Sequence, residues 1–197
     1  MFSLTINESK VIDLLMRNWS ERISMNEVAK RLKLSPMGAY KILKKLEKQK
    51  ILFFEQIGQS KYYKINLKEQ VSRKTAEFVL SQHDLNPFAK VCSEDFKKLN
   101  SSAECTILFG STVTKGIDAN DIDIFCVVKK QKYKLLRNNV QELQKNISKH
   151  IQLVVQTFED MVRNLKKKDP VLLDIIKKGV FLSGQEVVLE GIKRCQE

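Results

Sequence analysis

Leu34-Ser35-Pro36-Met37-Gly38-Ala39-Tyr40-Lys41-Ile42-Leu43-Lys44-Lys45-Leu46-Glu47 reads as one helix with a marked start. Ser35 is a preferred N-cap residue. Pro36 at the first helical position loses nothing, because the N–H it lacks would have no helical partner. Ala39, Ile42, Leu43 and Leu46 recur at helical spacing and define a buried face. Met37, Tyr40, Lys41, Lys44, Lys45 and Lys48 fall outside that face. The result is a short helix with an apolar back and a lysine-rich front.

Two more short helices precede it. Thr5-x-x-Glu8 has the pattern of a capping box, before Val11, Ile12, Leu14, Leu15 and Trp19. Ser24-x-x-Glu27 repeats the pattern before Val28, Ala29 and Leu32. Downstream, the aromatic and branched runs 51–57 and 61–67 flank Gly58-Gln59-Ser60, which predicts a β-hairpin. Helix, helix–turn–helix and hairpin, in that order, resemble a winged helix over residues 1–67, three helices plus a hairpin. The resemblance implies that the helix from Ser35 enters a DNA major groove while the hairpin meets the flanking backbone. Lysines on the exposed front would neutralise phosphates, and Met37 and Tyr40 would meet base edges or methyl groups. Lys61 and Lys64 would serve the wing. The partner implied is DNA, with RNA as the alternative, and such regulators often pair as homodimers. One departure is Lys50, which stands where a glycine usually ends the helix: either Lys50 takes a left-handed backbone or the helix ends differently.

Charge agrees with a polyanionic partner. The chain carries a net +12, and residues 1–67 hold 13 Lys and Arg against 6 Asp and Glu. About a third of the chain therefore supplies more than half of the excess. Four cysteines, Cys92, Cys105, Cys126 and Cys195, never form a Cys-x-x-Cys pair, which argues against a zinc site or a disulfide framework. With no signal peptide at the start and no apolar run of about 18 residues, a cytoplasmic protein is expected.

Residues 68–82 predict an amphipathic helix with Val71, Phe78, Val79 and Gln82 on one face. His83-Asp84-Leu85-Asn86-Pro87 breaks it, so 68–86 reads as a linker helix and 87–197 as a second, α/β domain. There a helix from Phe88 and apolar strands near 104–109, 122–128, 150–157 and 180–182 alternate with helical patterns. An α+β chain of two domains follows, the second with a small mixed sheet.

The first of those strands runs into Gly110-Ser111, and after a gap of nine residues Asp121-Ile122-Asp123 opens the second. Glycine lets a backbone approach a phosphate closely, and the N–H groups and Ser111 hydroxyl can bind its oxygens. Period-two geometry puts Asp121 and Asp123 on one face. Two carboxylates side by side call for a divalent cation such as Mg²⁺, which commonly bridges carboxylates to triphosphate oxygens.

Thr106–Ser111, Asn120–Phe125 and Gly179–Gly184 together resemble the nucleotidyltransferase superfamily that includes DNA polymerase beta, and most closely its minimal members. The resemblance covers roughly residues 88–185. It implies that Gly110 and Ser111 hold phosphates of ATP or another nucleoside triphosphate, that Asp121 and Asp123 hold metal and are catalytic, and that AMP is transferred to a protein or RNA. Active members carry a third carboxylate on a later strand. The matching position here is Gln152, which is neutral, with His150 on the same strand face as an alternative base. Asp118, Glu159 and Asp160 are the nearby carboxylates in sequence. Two main readings stand: a nucleotidyltransferase guided by a winged helix, or a DNA-binding regulator whose second domain is an inactive nucleotide sensor or docking module. A partner of a separately encoded toxin is a third.

Overall fold

A computed structural model describes residues 3–82 and 85–196. The chain forms two compact units, Met1–Val79 and Leu80–Glu197. The sequence break at His83-Asp84 lies outside the described residues.

The N-terminal unit begins with α1 (Ile6–Arg17), α2 (Met25–Leu32) and α3 (Pro36–Lys48). The Thr5/Glu8 capping box forms in both directions: Glu8 N–H donates to Thr5 Oγ1 (3.3 Å) and Thr5 N–H donates to Glu8 Oε2 (2.9 Å). The second box forms only halfway. Ser24 Oγ accepts from Glu27 N–H (3.3 Å), but the Glu27 carboxylate turns instead to Arg31, 2.9 Å away on the next turn. Ser35 Oγ accepts from Gly38 N–H (3.0 Å), as its N-cap position requires. Val11, Ile12, Leu15 and Met16 of α1, Val28 of α2 and Ala39, Leu43 and Leu46 of α3 are all buried.

The hairpin follows as β1 (Leu52–Ile57) and β2 (Ser60–Ile65), paired antiparallel from Leu52↔Ile65 to Ile57↔Ser60. Gly58 supplies the positive φ (59°) in its tight turn. A bridge from Ser24 to Tyr62 ties the hairpin to the segment before α2.

Helix α4 (Gln70–Ser81) is not a free linker. Ser72 Oγ donates to the Ile51 carbonyl (2.9 Å) and Arg73 Nη1 to that of Leu67 (2.7 Å), so its start belongs to the N-terminal unit. Its buried face is also not the expected one. Ser72, Thr75, Ala76 and Val79 are buried, whereas Val71 and Phe78 are exposed. Small polar residues satisfied by backbone and helix carbonyls can line a buried face, and hydrophobic periodicity does not see them.

The C-terminal unit is α/β. Its elements are α5 (Pro87–Phe96), β3 (Cys105–Phe109), α6 (Ser111–Lys115), β4 (Asp121–Val127), α7 (Tyr133–Asn146), β5 (His150–Gln156), α8 (Phe158–Lys166), α9 (Pro170–Lys178), β6 (Val180–Ser183) and α10 (Gln185–Gln196). The four strands form one mixed sheet in the order β5-β4-β3-β6, with β4 and β5 parallel and the other pairs antiparallel. Leu108, Ile122, Ile124, Cys126 and Ile151 pack on one face with Ala89, Cys92 and Phe96 of α5 and with Leu136, Val140 and Leu143 of α7. The alternating residues, among them Ile107 and Phe125, turn to the other face. Contacts of α8 with β5, and of α9 and α10 with β3, cover that side. Among the described residues no helix is long and apolar enough to cross a membrane.

Candidate functional site

Two sites were expected, one in each unit. On α3 the exposed front is Met37 (61% exposed), Tyr40 (44%), Lys41 and Lys48. The remaining cations are engaged. Lys44 Nζ lies 3.0 Å from Glu47, and Lys64 Nζ lies 2.8 Å from Glu55 across the hairpin. Lys61 Nζ sits over the Phe54 ring, 4.0 Å from its centroid. Lys45 Nζ reaches Glu8 on α1 at 2.6 Å, and the Glu8 side chain is only 4% exposed. Burial pushes the Glu8 carboxyl up, but the Lys45 ammonium and the Thr5 backbone N–H outweigh it and hold it below its ordinary range. Lys45 therefore fastens the helix from behind. Lys41 and Lys48 are the lysines of α3 with no ion pair among the described residues.

The second site is the junction β3–α6–β4. Gly110 has φ 67° and ψ −148°, a backbone for which glycine is suited, and a Cβ there would run into the Asp123 carboxylate. The sheet brings Asp123 opposite Phe109, which places its side chain beside the Gly110-Ser111 turn. The Asp123 carboxyl is raised by burial first and then by the Asp121 charge, while the Ser111 backbone N–H pulls the other way. Thr112 Oγ1 donates to the Asp121 carbonyl (2.9 Å), and Asn86 Nδ2 donates to the carbonyls of Thr112 (3.2 Å) and Val113 (3.1 Å). These bonds fix the turn against the start of β4.

Strand β5 then brings the third position into register: His150 pairs with Asp121, and Gln152 pairs with Asp123. Side chains at paired positions of neighbouring strands lie on the same face. The neighbour of Asp123 is therefore an amide. Among the described residues no group of three or more His, Cys, Asp and Glu side chains is placed to hold a metal. Glu159 and Asp160 open α8, beyond the opposite end of β5. Asp160 is used there, accepting from Thr157 Oγ1 (2.7 Å) and pairing with Arg163 (3.1 Å). Asp118 is exposed in the short turn before β4. A cleft of about 730 Å³ also lies at that far end, between Glu104, Lys129, Phe158 and Arg194, away from the aspartates.

Sequence reasoning missed Lys149. Its ammonium accepts no pattern-based reading, yet it donates to the carbonyls of Ile117 (2.7 Å) and Ala119 and lies over the Phe88 ring. It clamps the loop that carries Asp121. Thr112 and Asn86 were missed for the same reason: each acts through a contact distant in sequence.

Residues 4–52 match the family model described as winged helix-turn-helix DNA-binding. The match spans α1 to α3 and stops at the first residue of β1, so most of the chain lies outside it. The N-terminal unit is a winged helix-turn-helix. No curated protein matches the sequence. Among solved structures, the chain is similar to MepR, a transcription regulator of the Staphylococcus aureus multidrug efflux pump MepA. That match has 13% identity over 74% of this chain and 81% of that one, with a TM-score of 0.36. A ZitR mutant of Lactococcus lactis gives 14% identity over 74% and 77%, TM-score 0.37. The adhesin competence repressor AdcR of Streptococcus pyogenes gives 17% over 72% and 84%, TM-score 0.36. At these scores the likeness is too loose to say how the whole chain folds or acts. None of these matches supports the nucleotidyltransferase resemblance of the C-terminal unit.

Proposed function

We propose that this chain is a DNA-binding regulator whose C-terminal unit binds a metal-bound nucleoside triphosphate without transferring it. The DNA half is supported by the family match and by the front of α3, where Met37 and Tyr40 are exposed and Lys41 and Lys48 have no ion pair among the described residues. The nucleotide half is supported by Gly110, Ser111, Asp121 and Asp123 converging at one end of a mixed sheet. The residues present fit a single Mg²⁺ held by Asp121 and Asp123 and completed by phosphate oxygens of ATP, since Mg²⁺ commonly takes one or two carboxylates at such sites.

The observation that favours binding over transfer is Gln152 in register with Asp123. Transfer needs an attacking hydroxyl brought to a metal and relieved of its proton. A carboxylate at this position would do both, whereas an amide has no charge to hold a second cation and cannot take a proton at neutral pH. His150 sits beside Asp121 one step closer to the strand start and leaves the position next to Asp123 neutral.

The test has two parts. Anisotropy of labelled random-sequence duplex DNA should rise on titration with the full chain and fall steeply with added salt, as phosphate-dominated binding does. Equilibrium dialysis should show Mg²⁺-dependent retention of ATP that Asp123→Asn abolishes. DNA binding insensitive to salt would refute the first half, and retention unaffected by Asp123→Asn would refute the second.

A further inference from the structure

The sheet of the C-terminal unit has two edges of different kinds. Strand β6 has four residues, a register irregularity against β3, and α10 directly after it. These are usual ways of blunting an edge. Strand β5 has seven residues, His150-Ile151-Gln152-Leu153-Val154-Val155-Gln156, with no proline, no lysine and an unbroken register.

The hydrogen bonds show which backbone groups of β5 are left over. Gln156 accepts from Val128 N–H (3.0 Å), so it faces β4. In a parallel pair the residues that face the neighbour alternate with those that face away. Gln152 and Val154 therefore face β4, and Ile151, Leu153 and Val155 direct N–H and C=O outward. Gln144 of α7 confirms the parity, because its Oε1 caps the outward Ile151 N–H at 2.8 Å. The N–H groups of Leu153 and Val155 have no such cap among the described residues.

A cleft of about 490 Å³ runs beside this edge, floored by Tyr133, Arg137 and Val140 of α7. It continues into a second of about 350 Å³ that shares Tyr133 and Val155 and reaches Lys130 and Gln156. Gln156, which lines it, has its Oε1 buried with no hydrogen-bond partner among the described residues. Arg137 is the only Asp, Glu, Lys or Arg in the larger cleft, and no carboxylate pairs with it among the described residues. In the smaller one Asp160 is paired with Arg163, and Lys130 lies within reach of the same carboxylate.

We propose that an extended acidic peptide from a partner protein docks along β5 as a fifth strand. Its backbone meets the outward groups of Leu153 and Val155, and an acidic side chain meets Arg137. Strand addition of this kind draws affinity from main-chain bonds and selectivity from the flanking side chains. The charge disfavours a second copy of this chain: two β5 edges paired about a two-fold axis would bring Arg137 of one α7 towards Arg137 of the other.

The test titrates the full chain into fluorescein-labelled Val-Glu-Val-Glu-Val-Glu-Val and follows anisotropy. Saturable binding is expected. It should weaken about tenfold or more when alternate peptide nitrogens are methylated, since each ladder bond lost leaves a desolvated group. Replacing Glu by Lys in the peptide should have a similar effect, and Arg137→Glu should reverse that preference. Val155→Pro removes one outward N–H at a position where an edge strand tolerates proline, and should weaken binding with the unfolding temperature checked. Arg137→Glu, on the surface, carries the test if Val155→Pro does not fold. Absence of binding, equal binding of the methylated peptide, or indifference to Arg137→Glu would overturn the proposal. So would a concentration-dependent dimer in the absence of peptide that Val155→Pro dissolves, which would assign the edge to a second copy.

Discussion

Glu8 takes part in two interactions with one carboxylate, closing the capping box of α1 and anchoring Lys45 of α3. Because Lys45 is half exposed, the pair is screened, and Glu8→Gln should cost about 1 kcal/mol in urea unfolding at pH 7. The sign of its pH dependence follows from the lowered carboxyl. The stabilisation is fully present above the ordinary value of 4.5 and is lost as pH falls through the lower folded value, so mutant and wild type should converge in acid. Lys50 makes a different point. Its φ of 59° is the left-handed conformation expected from the missing glycine, and Ile51 N–H and Lys50 N–H close the helix onto the carbonyls of Leu46 (3.0 Å) and Glu47 (2.9 Å). Lys50→Gly should therefore stabilise the N-terminal unit by about 1 kcal/mol, read from the urea midpoint at unchanged slope.

At the scale of elements, α3 and the β3–α6–β4 turn carry the proposed function. The lysines of α3 looked alike in sequence, and tertiary contacts divide them. Lys41→Ala and Lys48→Ala should each weaken DNA binding and reduce the slope of log affinity against log salt by about 1. Lys45→Ala should act on stability more than on that slope. In the turn, Gly110→Ala should abolish Mg²⁺-dependent ATP retention, because its Cβ takes the space of the Asp123 carboxylate, while leaving DNA binding intact. Helix and strand identities were legible wherever apolar residues recur at a clear period: α1 to α3, the hairpin, β3 to β6, α7 and α9. Helix α10 was passed over although Val188, Leu189 and Ile192 have the spacing and are buried. The face of α4 was misread because serine, threonine and alanine stand with Val79 on its buried side while Val71 and Phe78 are exposed.

At the scale of the whole chain, local signals gave the α+β, two-unit organisation, and the division falls within α4 at Val79/Leu80 where a linker of 68–86 was expected. A helix that begins by docking Ser72 onto Ile51 cannot be told from a free one by its own periodicity. Of the residues proposed to hold nucleotide and metal, Gly110, Ser111, Asp121 and Asp123 were readable because a turn and a strand place them at fixed offsets. Their supports, Lys149, Thr112 and Asn86, were not, because hydrogen bonds across 9 to 32 positions leave no local pattern. The pairing of Gln152 with Asp123 is the observation on which the proposed binding without transfer rests. Its most direct test is the fate of ATP labelled at the α-phosphate after incubation with the full chain, Mg²⁺, and cell protein and RNA. The expected result is label retained by the protein and recovered as intact ATP. Label recovered as AMP attached to any acceptor, with release of pyrophosphate, would contradict it.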